Sequence, residues 1–171
     1  MKKIILLAAI LISLNTSSKA QDIFSAARNN DFQEVQNQLT KGVSIDTVNA
    51  RGFTPLTLTV YNGHEDMATY LLKNGANIDK QDMNGNTALM GAVFKGNLPL
   101  VQLLISNKAN INIKNYNGAT ALIFAATFGK KEMISLLLKS GADKTIQDHT
   151  GKTALDHAMF QNNEENIPLL K

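Results

Sequence analysis

His64, His149 and His157 are the histidines of this 171-residue sequence, which contains no cysteine. Acid–base or nucleophilic catalysis would need one of them beside a carboxylate or hydroxyl on a shared face, and a metal site would need several at ligand spacing. Asp156 and His157 adjoin, but neighbours on a helix point about 100° apart and do not form a dyad. No His and carboxylate recur at a metal spacing on one helix face. The glycines are placed as turn and cap residues rather than as a phosphate loop. Lys130-Lys131 beside Glu132, and Lys139 and Lys144 flanking Asp143, read as a solvated surface of mixed charge. No catalytic residue, metal ligand or cofactor site is assigned, and the chemistry left for this chain is recognition.

The elements that would position a recognition surface recur at a fixed interval. Gly52, Gly85, Gly118 and Gly151 are each followed two residues later by Thr54, Thr87, Thr120 and Thr153, and then by Leu56, Leu89, Leu122 and Leu155, with a period of 33 residues. Such a unit is too small to bury its own apolar face and must stack on a neighbour. Asn49-Ala50-Arg51-Gly52 carries the Asn/Asp-first, Gly-fourth signature of a tight turn, repeated from Asp82, Asn115 and Asp148, and each is expected to form a hairpin tip. Thr54-Pro55 predicts a helix start, the hydroxyl capping the first turn and the proline sitting where no N–H is needed. Gly63, Gly96 and Gly129 stop that short helix. A second helix carries Leu71-Leu72, Leu104-Ile105 and Leu137-Leu138, and Gly75 and Gly141 end it in left-handed caps. Lys108 occupies the same slot, and Asn30 and Asn162 stand where internal units have the glycine of the first helix.

Residues 1–20 read separately. Lys2 and Lys3 precede an apolar run from Ile4 to Leu14, and Ser18-Lys19-Ala20 offers small residues at a cleavage site, so a secretory signal peptide cut after Ala20 is expected. No cysteine follows to carry a lipid anchor. Of 17 Lys and Arg, three lie before residue 21 and the other 14 balance the 14 Asp and Glu. A neutral mature chain lacks the field that nucleic acid requires and has no basic run for a membrane. Its location is expected to be periplasmic or extracellular, in a bacterium.

Gly52-Phe53-Thr54-Pro55-Leu56, Asn62-Gly63-His64, Leu71-Leu72 and Asn74-Gly75-Ala76 resemble the ankyrin repeat, and the likeness continues in register over about 150 residues. It implies an all-α solenoid of helix-turn-helix units with β-hairpin tips: a cap over 21–48, three internal units (49–81, 82–114, 115–147) and a cap over 148–171. The histidine that the family carries after the leucine is replaced by Thr57, Met90, Ile123 and Asp156. The resemblance therefore implies fewer hydrogen bonds between repeats, and lower stability than a consensus stack. It also implies a monomeric, non-catalytic module binding a protein on the concave face of tips and inner helices, here Arg51, Phe53, Tyr61, Asn62, Met83, Asn84, Asn86, Phe94, Lys95, Tyr116, Asn117, Thr127, Phe128, His149, Lys152, Phe160 and Gln161. Tyr61, Phe94 and Phe160 share one repeat position and are expected to form an exposed strip. The alternative is a dedicated inhibitor, immunity or accessory factor of one exported enzyme; a small-ligand carrier or enzyme is disfavoured by the missing polar constellation.

Overall fold

The structure is a computed structural model that describes residues 22–171, so the expected signal peptide lies outside the described residues. Within them the chain forms ten helices in five pairs: α1 (Ile23–Arg28) with α2 (Phe32–Thr40), α3 (Pro55–Tyr61) with α4 (Glu65–Lys73), α5 (Ala88–Lys95) with α6 (Leu98–Ser106), α7 (Ala121–Thr127) with α8 (Lys131–Lys139), and α9 (Ala154–Phe160) with α10 (Ile167–Leu170). The inner helices α1, α3, α5, α7 and α9 pack in series, and the outer helices α4, α6 and α8 pack behind them.

Each inner helix of the last four pairs begins as its threonine predicts. Thr54, Thr87, Thr120 and Thr153 adopt extended backbone, and each hydroxyl accepts from the N–H three residues on. At Thr153 the bond is reciprocated, Asp156 accepting from the Thr153 N–H at 2.8 Å in a capping box. The outer helices end in paired bonds that reverse the chain: the Gly75 N–H reaches the Leu72 carbonyl and the Ala76 N–H that of Leu71, as Gly141 and Ala142 do with Leu138 and Leu137. Lys108 and Ala109 repeat this geometry, with Lys108 at φ 69°. The other non-glycine residues at positive φ among those described are Asn30 and Asn162, at the two inner-helix ends that lack glycine.

Stacking closes the core. Leu56, Leu89 and Leu122 on the inner layer are buried, as are Leu71, Leu104 and Leu137 on the outer layer, whereas the following Leu72, Ile105 and Leu138 are only partly covered. Fully buried Ala92, Ala125 and Ala126 let successive inner helices approach closely.

The tips depart from the expected hairpins, since no strand occurs among the described residues. Each is a tight turn closed on itself: the Asp82 N–H donates to the Asn86 carbonyl at 2.9 Å, and the Gly85 N–H to that of Asp82. One backbone bond joins each tip to the next, from Met83 to Arg51, Tyr116 to Asn84 and His149 to Asn117. Single bonds of this kind hold the tips in a row without the paired ladder a strand needs.

Candidate partner-binding face

The first residue of each tip organises its turn through one oxygen. Asn49 Oδ1 accepts from the N–H groups of Arg51 and Phe53, Asp82 Oδ1 from Asn84 and Asn86, Asn115 Oδ1 from Asn117 and Ala119, and Asp148 Oδ1 from Thr150 and Lys152. The residue that follows is thereby thrown outward. Met83, Tyr116 and His149 are exposed in this way, and the first two are 66% and 63% exposed. Tyr116 also crosses over Gly85, where φ is +77° and a Cβ would lie 2.6 Å from the Tyr116 amide nitrogen, so only glycine fits there.

The inner-helix ends supply the remaining surface. Phe94 and Phe128 are each 46% exposed and meet edge to face with ring centroids 5.1 Å apart, and Phe124 supports Phe128 from below at 6.0 Å. Phe160 is 72% exposed, with the Lys152 ammonium 4.8 Å above its ring.

Tyr61 does not continue this strip. Its aromatic repeat equivalents Phe94 and Phe160 are exposed, but Tyr61 is half-buried because Gly91 leaves a seat for its ring: a Cβ at Gly91 would lie 2.7 Å from the Tyr61 Cε2. There it packs against half-buried Phe53 at 5.7 Å. Burial, and secondarily the Asp82 carboxylate, pushes the Tyr61 phenol above its ordinary pKa. Asn86 is likewise turned inward, bonding Asp82 and accepting from Asn115 Nδ2 at 2.9 Å. Asn62 and Thr127 spend side-chain bonds on the Leu58 and Ile123 carbonyls of their own helices. Arg51, Asn84, Lys95, Asn117 and Gln161 are exposed.

The histidines have distinct partners. Asp156 caps α9, whereas His157 donates from Nε2 to Asp148 Oδ2 at 2.7 Å, linking α9 to the last tip. Burial opposes ionisation of Asp148, but hydrogen bonds from Thr150, His157 and Lys152 outweigh it and hold its carboxyl well below the usual range. Asp156 and His157 form no dyad despite their adjacency; the contact His157 does make spans nine residues and needs the tip folded over the helix. His64 precedes α4, and its Nε2 donates to the Arg28 carbonyl at 2.8 Å and ties the second repeat to the first. Among the described residues no group of three or more His, Asp or Glu lies placed to hold a metal ion.

Five helix pairs, stacked in register with a row of turn tips along one edge, define a repeat solenoid whose unit is about 33 residues long. The family described as Ankyrin repeats (3 copies) matches residues 23–115 and again 90–171, and the chain belongs to the ankyrin-repeat family. Ankyrin repeats are generally protein–protein interaction modules and typically non-catalytic. A search of curated proteins finds no match to this chain.

Proposed function

We propose that this protein is an exported, non-catalytic adaptor that docks a protein partner on its concave face. One observation carries the reading: among the described residues the large apolar side chains left exposed are Val48, Met83, Phe94, Tyr116, Phe128, Met159 and Phe160, and none of them lies on an outer helix. Scattered exposed hydrophobics are ordinary, but Met83, Phe94, Tyr116, Phe128 and Phe160 fall at the tips or the inner-helix ends, a grouping that marks an interaction surface. Phe94 and Phe128 are its centre, two rings fixed against each other so that binding costs little side-chain entropy. A partner of standard size would cover about 800 Å² here.

Export rests on Lys2-Lys3, the Ile4 to Leu14 run and Ser18-Lys19-Ala20, and places the mature N-terminus at Gln21. Intact-mass measurement on protein from the source organism tests it, a species retaining Met1 being the contrary result. Docking is tested by affinity capture from the same compartment with wild-type protein and with Phe94→Ala/Phe128→Ala. We expect the double variant to remain folded and lose the partner. Undiminished capture by the folded variant would remove the aromatic centre from the account.

A further inference from the structure

A cavity of about 570 Å³ opens on the inner face across the first three repeats. Its cationic wall is formed by Arg28 at the end of α1, Arg51 on the first tip and Lys95 at the end of α5, around Phe53 and Tyr61. Arg28 and Arg51 are the two arginines of the entire sequence, whose other cationic side chains are all lysine or histidine. Both border this one cavity. No carboxylate lines it, and the ion pairs among the described residues, Lys131–Glu165 and His157–Asp148, lie elsewhere. The neighbouring Asp82 is buried, with its oxygens engaged by Asn84 and Asn86. A helix C-terminus accounts for one cation at the end of α1 and one at the end of α5. It accounts for neither Arg51 nor the missing counter-charge.

Guanidinium differs from ammonium in presenting a planar fork that fits a carboxylate through two parallel bonds. We propose that this cavity receives an acidic segment of the protein partner, Arg28 and Arg51 gripping its carboxylates while an adjoining apolar side chain packs on Phe53. The inference rests on the protein-binding reading above and adds the chemistry of the partner. The residues after Ala20 carry as many acids as bases, so the positive charge is local rather than a track for a polyanion. An acidic peptide fits a local cluster; a nucleic-acid strand needs the track.

Fluorescence anisotropy tests this with a labelled peptide of Glu and Phe, the same peptide with Gln for Glu, and single-stranded oligothymidylate, each titrated with the purified protein. The Glu peptide should bind, weakening as salt rises, and the Gln peptide should bind at least about tenfold less tightly. Arg28→Glu/Arg51→Glu should lose at least about tenfold, the double Lys replacement a smaller factor, and Lys73→Glu on outer helix α4 nothing. Arg51→Glu alone, at an exposed tip, gives the answer should the double reversal not fold. Equal binding of the Glu and Gln peptides, indifference to Arg51→Glu, or tighter binding of the oligonucleotide would overturn the proposal. The two readings also separate in partner capture: if Arg28→Glu/Arg51→Glu keeps the partner while Phe94→Ala/Phe128→Ala loses it, the acidic segment is refuted and the concave face stands.

Discussion

The tip-organising position shows how one side chain can serve a turn in two chemical forms. Asn49, Asp82, Asn115 and Asp148 all offer one oxygen to two backbone N–H groups, so Asp148→Asn keeps those bonds and loses the negative charge together with the Oδ2 acceptor that His157 uses. We expect it to cost about 1 kcal/mol at neutral pH. Because the folded carboxyl is held below its unfolded value, its contribution is complete well above pH 4. It fades as the pH falls through about 4 and further below, where protons bind the unfolded chain first. Acid titration of stability should therefore be flatter in Asp148→Asn than in wild type, and parallel curves would contradict the assignment. Burial separates two further residues: Phe94→Ala should cost less than about 1 kcal/mol, and Leu104→Ala about 2–5 kcal/mol through a core cavity. Denaturant unfolding compares them directly, and equal losses would place Phe94 in the core. The positive-φ residues Asn30, Lys108 and Asn162 could be read from register alone, because each fills a glycine slot. The inward turn of Tyr61 could not, since its cause is a glycine on the next repeat, at a position where the other units have Ser25, Leu58, Phe124 and His157.

Helices here are short and depend on their ends. The threonine caps were legible because a hydroxyl before an apolar run has one strong use. The loops behind the outer helices were not, although they carry their own recurring bond: Asp46 accepts from the Asn77 N–H, Asp79 from Asn110 and Asn112 from Asp143. Their shared spacing was present in the sequence, but a surface Asp or Asn has many uses, and only the stacked geometry selects this one. At the end of α6, Lys108 sits at φ 69°, where a Cβ is strained. Lys108→Gly should stabilise by a few tenths to about 1 kcal/mol after the added unfolded-state entropy is subtracted. A lower denaturation midpoint would show that the lysine side chain contributes more than its backbone costs.

A stack of repeats behaves as a row of units and interfaces, so its ends decide whether it remains soluble. Leu170 is buried and α10 packs on α9, which in turn covers α7. Deleting residues 149–171 should expose the flank of α7 and α8 and cause association or partial unfolding, seen by light scattering and circular dichroism. A truncated protein that stays monomeric and equally stable would make the last segment a tail. The same linear order leaves a tip-and-inner-helix edge on one side and outer helices on the other, and the account's central claim is that a protein partner is bound at that edge. Site-specific photo-crosslinking in the source organism tests it most directly, with a photoreactive phenylalanine analogue placed at Phe94 in one protein and at Lys73 on α4 in another. The account predicts a discrete crosslinked partner from position 94 and none from position 73; crosslinking from position 73 with none from position 94 would contradict it.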